Sequence, residues 1–127
     1  MSQAPSVFSQ IDSSEWIASN KFGFAIFDNY PVTQGHVLII SHREIPTWFD
    51  ATASEQAGLL ELTQQVKLLL DAQFSPDGYN LGINAGAAAG QTISHLHIHL
   101  IPRRTGDVAD PRGGVRYVIP ERGNYLT

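Results

Sequence analysis

The sequence predicts an α+β fold, an antiparallel β-sheet with one long helix and short helices packed on one face. Two patterns and their order along the chain carry this reading. Residues 95–101 alternate histidine with leucine and isoleucine, the period of a strand with one buried face and one accessible face. Residues 50–74 repeat apolar side chains at three- and four-residue intervals, the period of a helix that buries one stripe. Strand-like runs lie on both sides of that helix, and a helix layered on a sheet is the compact arrangement of such elements. A chain of 127 residues is one domain with room for a full core. The reading is a single domain over 1–127, with 1–12 and 105–127 as less regular terminal segments.

Residues 1–12 read as a mobile lead-in, and residues 13–18 as one helical turn. Residues 22–27 (Phe-Gly-Phe-Ala-Ile-Phe) are aromatic and β-prone, a strand. Asp28, Asn29 and Pro31 carry turn chemistry. Residues 36–40, entered through Gly35, form a second strand, so the two make a hairpin with a longer loop. Thr52 and Glu55 have capping-box spacing at the start of the helix, and Leu59, Leu62, Val66, Leu69 and Leu70 form its apolar stripe. Pro76 and Gly78 stop it. Residues 79–84 read as a third strand, residues 85–90 as a loop of small residues, and residues 95–101 as a fourth strand ended by Pro102. In the tail, residues 115–119 are predicted to add an edge strand.

The net charge of −4 argues against a nucleic-acid partner. The charge is uneven, since Arg103, Arg104, Arg112, Arg116 and Arg122 crowd the tail. They offer a place for a small anionic ligand, or else a solvated tail. The absence of cysteine excludes disulfides, thiolate catalysis and cysteine-held zinc. No stretch approaches the length of a membrane span. The first residues lack the basic start and apolar run of a signal peptide, so a cytoplasmic protein is expected.

His95, His97 and His99 put three imidazoles on one side of a strand, a row that titrates near neutral pH. A regular row splays its nitrogens too far apart for all three to reach one zinc ion at about 2 Å. Two of them, joined by His36 or His42, remain a possible metal set, and a nucleotide-binding or scaffold role without catalysis stays open. The stronger reading is nucleophilic catalysis, because a neutral imidazole attacks phosphorus at pH 7 when its other nitrogen is held by a fixed acceptor. Donors are then needed around the phosphate oxygens. Neighbouring histidines supply them, as do Gln91 and Thr92 after Gly90, a glycine that lets backbone N–H groups approach an anion.

The run His95-Leu-His-Ile-His-Leu-Ile101 resembles the histidine-triad (HIT) pattern, histidines alternating with apolar residues. Asn84, the Gly90-Gln-Thr92 loop, the block Pro31-Val-Thr-Gln-Gly-His36 and Asp28 before it resemble the family at the same spacings. The similarity runs from about residue 22 to residue 104. Residues 102–107 resemble the dinucleoside-polyphosphate hydrolase (fragile-histidine-triad-like) branch, and the tail resembles small bacterial HIT hydrolases. The resemblance implies a HIT-like fold and a nucleotide hydrolase or nucleotidyl transferase. It would cleave at the α-phosphate of a dinucleoside polyphosphate, nucleoside phosphoramidate or similar substrate, through a nucleotidyl-histidine intermediate. It implies that His97 is the nucleophile, that His99 binds phosphate and assists the leaving group, and that His95 orients the row. His36 completes the set, Asp28 contacts the ribose, and Asn84, Gly90, Gln91 and Thr92 face the phosphates. The implied partner is a purine nucleotide or dinucleotide, with no nucleic acid, no membrane and a homodimeric assembly. No cofactor is required beyond a divalent cation carried in with a polyphosphate, and no structural metal is expected.

Overall fold

The computed structural model describes residues 5–126. Its centre is a five-stranded antiparallel sheet. The strands are β1 (Ala18–Ser19), β2 (Gly23–Phe27), β3 (Val37–Ser41), β4 (Gly78–Gly82) and β5 (His97–Arg103), in the order β1-β2-β3-β5-β4. Helix α1 (Ala53–Phe74) crosses one face. The predicted hairpin is β2–β3, with Phe27 opposite Val37 and Gly23 opposite Ser41.

Side-chain parity divides the sheet into two layers. Ala25, Val37, Ile39, Ile98 and Leu100 face α1 and pack with its Leu59, Leu62, Val66 and Leu70. The opposite face carries Phe24, Ile26, Leu38 and Ile40, covered by Phe8 from a 3₁₀ turn at Val7–Gln10. The short helices are therefore not confined to the face that α1 covers.

Helix α1 begins where its capping box does. Thr52 accepts from Glu55 N–H at 3.1 Å, and Glu55 accepts from Thr52 N–H at 2.9 Å. Arg43 closes on the same carboxylate at 2.7 Å and holds Glu55 well below the usual carboxylate range, at about 2. Gly58 lets the helix meet the sheet, for a Cβ there would stand 2.0 Å from the Phe22 ring. The helix ends at Ser75 in a left-handed conformation, with Pro76 directly after it.

Several local expectations change. The turn within residues 13–18 is only Ser13–Glu15, and Ala18 joins β1, a two-residue strand with no sequence signal of its own. Leu69 is exposed, one position off the buried stripe. Pro102 does not end β5; it is buried inside it, opposite Tyr79. Its missing donor costs nothing where the ladder does not call on it. The predicted strand at 115–119 is a 3₁₀ helix, Gly114–Val118, beginning at a pair of glycines with positive φ. Among the described residues of the lead-in, Phe8 is buried, so this segment is anchored.

Candidate active site

The pairing of β3 with β5 sets Leu38 opposite His99 and Ile40 opposite His97. Because Ile98 and Leu100 point into the α1 layer, His97 and His99 emerge on the other face. Residues 28 and 36 share the parity of Ile26 and Leu38, and Asp28 N–H donates to His36 O at 2.9 Å across the mouth of the hairpin. Asp28, His36 and His99 are thus brought together by register, although 63 residues separate the two histidines.

The row is less regular than the alternation predicts. β5 starts only at His97, and His95 lies in the bend before it, fully buried. The rings of His97 and His99 are 5.2 Å apart, as are those of His36 and His99. His95 instead stands behind, at 5.7 Å from Phe8, whose edge also meets His97 at 5.0 Å.

Hydrogen bonds settle where each imidazole carries its proton. His97 Nδ1 lies 2.7 Å from His95 O, a carbonyl that only accepts. Nδ1 therefore carries a proton, and in the neutral ring the lone pair is on Nε2. Val32 N–H donates to His36 Nδ1 at 3.1 Å, so His36 carries its proton on Nε2 and gives it to His99 Nδ1 at 3.0 Å. His99 therefore presents Nε2–H. His95 Nε2 donates to Ser41 O at 2.7 Å, which leaves Nδ1 to accept from Ser6 Oγ at 2.8 Å.

Burial favours the uncharged form of His36, His95 and His99. It pushes His99 down to about 4, aided by neighbouring His97 and His36 and opposed by Asp28. It also lowers His36, against the attraction of Asp28, and lowers His95.

A cavity of about 420 Å³ opens over His97 and His99. Val7, Phe8, Ile11, Ile26, Leu38 and Ile93 give it an apolar wall, while Asp28, Asn29, Tyr30, Asn84, Gly90 and Thr92 complete the lining. Gly90 adopts φ +91°, a conformation few other residues accept. Of the predicted substrate-binding residues, Gln91 is the one absent from the lining, while His36 and His95 stand buried behind His99 and His97. Gln91 Oε1 accepts from Gly86 N–H, and its Nε2 donates to Pro46 O and Ile93 O, so it braces the loop. His42 stacks on Phe24 and donates to Asn20 O, away from the cavity. Four of the five tail arginines are engaged outside it. Arg103 binds Asp107 and Asn80, Arg104 binds Gln34 O, Arg112 binds Asp110, and Arg116 binds Gly123 O. The cavity wall from Val7 to Ile11 was missed by the sequence reading, although Val7, Phe8 and Ile11 are an apolar cluster at helical spacing.

Asp28, His36 and His99 offer one ligand atom each within 4.8 Å of one another, a zinc-like donor set. The direction of the hydrogen bonds opposes a metal there. With Val32 N–H on Nδ1, His36 Nε2 holds a proton and has no lone pair to give.

The HIT domain profile matches residues 10–106. The chain belongs to the HIT family. Among its relatives, the asymmetrical bis(5'-nucleosyl)-tetraphosphatase of Schizosaccharomyces pombe is 37% identical over 90 residues, 71% of this chain and 50% of that protein. The AP-4-A phosphorylase of Mycobacterium tuberculosis is 34% identical over 92 residues, 72% of this chain and 47% of that one. This HIT chain thus spans about half the length of these two relatives. Among solved structures, the C. elegans NitFhit protein superposes with a TM-score of 0.74 at 32% identity, over 85% of this chain and 26% of that one. A HIT family protein from Bacillus anthracis superposes with a TM-score of 0.73 at 30% identity, over 78% and 73% of the two chains.

Proposed function

We propose that this HIT protein cleaves nucleoside polyphosphates at the α-phosphorus through a nucleotidyl-histidine intermediate. The observation that carries the reading is the His97 tautomer. Its Nδ1–H is bound to His95 O, so the neutral ring carries its lone pair on Nε2, and the ring lines the cavity. That lone pair attacks the α-phosphorus, an N–P bond forms, and the bond from phosphorus to the bridging oxygen breaks. The departing oxygen takes the electron pair and leaves as a phosphate anion that accepts a hydrogen bond from His99 Nε2–H. Water then adds to phosphorus and releases its proton to solvent. The N–P bond breaks, and a nucleoside monophosphate leaves. His36 supports this by holding His99 in the donating tautomer.

The apolar wall suits a purine base, Asp28 the ribose hydroxyls, and Asn84, Gly90 and Thr92 the phosphates. Names of relatives support a dinucleoside polyphosphate as substrate, among them the bis(5'-adenosyl)-triphosphatase of Dictyostelium discoideum, 36% identical over 97 residues. No bound metal is required in this scheme, because the proton on His36 Nε2 fills the place a metal would need; a divalent cation enters only with a polyphosphate. The proposal includes a homodimer, supported by exposed Leu81 on the unpaired edge of β4 beside exposed Phe49. No described helix is long and apolar enough to cross a membrane. A nucleotide substrate fits action in the cytoplasm.

The test is rapid mixing with an α-labelled dinucleoside polyphosphate, then quenching. The native protein is expected to retain an acid-labile label. His97→Ala is expected to lose it and to lower kcat by roughly 10³-fold or more, while still binding nucleotide. Normal turnover by His97→Ala would overturn the assignment.

A further inference from the structure

Ser6, directly before the 3₁₀ turn Val7–Gln10, binds the buried end of the histidine row. Ser6 caps that turn, its Oγ accepting from Phe8 N–H at 3.1 Å. The same Oγ lies 2.8 Å from His95 Nδ1. Glu44 holds the segment in place, since Oε1 accepts both from Ser6 N–H and from Ser9 Oγ, the latter at 2.8 Å. His95 needs such anchors because it precedes β5 and its backbone is outside the ladder; its N–H reaches only Ile93 O. Yet its carbonyl is the acceptor that fixes His97.

We infer that Ser6, held by Glu44, is a positioning residue for the reaction proposed above: it locks the His95 ring and thereby aims His97. The direction of each bond supports this. Ser41 O only accepts, so His95 Nε2 must donate and Nδ1 must accept. Ser6 Oγ already accepts from Phe8 N–H, and its own proton goes to His95 Nδ1. With the ring held at both nitrogens, the His95 carbonyl has one position, and so has His97 Nδ1–H. Without the hydroxyl, the ring keeps one anchor and the carbonyl drifts. Because catalytic rate depends on angstrom-scale aim, this loss acts on the chemical step. Phe8 stands on the same segment, so the strap both aims the nucleophile and walls the cavity.

The test compares Ser6→Ala, Ser6→Thr and Glu44→Ala in the full chain. Loss of one hydrogen bond in Ser6→Ala is expected to lower kcat by up to about tenfold, with KM unchanged. Ser6→Thr keeps the hydroxyl and the cap and restores the rate. Glu44→Ala loosens the whole segment and raises KM as well. Ring ¹⁵N spectra give a second reading that a passive wall would not move. His95 is expected as the Nε2–H tautomer in both proteins, because Ser41 O remains, with its Nδ1 resonance moved in Ser6→Ala by loss of the accepted hydrogen bond. Native kcat in Ser6→Ala, a rise in its KM alone, or an unchanged His95 spectrum would each overturn the inference. If the native protein turns over no nucleotide, the reaction itself is wrong, and the spectra still decide whether Ser6 holds His95 Nδ1.

Discussion

Residues 5–12 and residues 105–126 both lack α-helix and strand, yet only the first group reaches the catalytic row. Phe8 is 6% exposed and meets two of the imidazoles by its edge. In the other segment Val115, Val118, Ile119 and Tyr125 are all exposed, and Arg112 and Arg116 bind a carboxylate and a carbonyl close by. The difference lies in partners, not in regularity. The amino-terminal segment finds partners elsewhere in the chain, a nitrogen of buried His95 and the exposed Glu44 carboxylate, while the carboxy-terminal one carries its own counterions.

The comparison predicts unequal damage. Phe8→Ala removes a buried ring shared by the second core and the cavity wall, so it is expected to cost about 3 kcal/mol of stability. It should also weaken nucleotide binding. Val118→Ala, at 80% exposure, is expected to stay within about 0.5 kcal/mol. Urea unfolding and nucleotide titration of both variants measure this, and equal effects would erase the distinction between the two ends.

The sheet, the hairpin and the long helix were legible because each has a period, and the capping box because Thr52 and Glu55 have a fixed spacing. His97 and His99 were legible for the same reason. Position 95 breaks the period only because Leu96 N–H turns to Ile45 O rather than continuing the β5 ladder, a tertiary contact the alternation does not encode. Gln91 had the right neighbours in sequence, but its amide is consumed by the loop it belongs to. The anchored strap was invisible because its partners, Glu44 and His95, lie 38 and 89 residues from Ser6. The arginine cluster misled in the opposite sense, since charge is easily read from sequence while the counterion that neutralises it depends on the local turn.

The two regions should also respond to acid in separate windows. The pKa of His99 falls from the ordinary 6.5 to about 4 on folding, chiefly through burial. A histidine lowered this way leaves the unfolded chain binding more protons between those values. Its contribution is complete above about 6.5 and is lost as pH falls towards about 4. The loss is on the order of 2 kcal/mol, with His36 and His95 acting in the same direction. His99→Gln should flatten the fall in urea midpoint over this window. A midpoint independent of pH in the native protein would mean that these rings are charged or exposed.

The tail titrates lower. Hydrogen bonds from Arg112 hold Asp110 down at about 2, against an ordinary 3.8. The sign is the same as for the histidines and only the window differs: a lowered carboxylate stabilises above its ordinary value and loses that contribution only as pH falls towards about 2. Both side chains are substantially exposed, and solvent screens such a pair. Arg112→Gln is therefore expected to leave kcat and the midpoint at neutral pH unchanged within error, and to alter only the acid limb below about 4. A clear drop in kcat would place the tail at the site after all. It would mean that Arg112 leaves Asp110 for a phosphate when substrate binds, and the contrast between the two ends would then hold only for the empty protein.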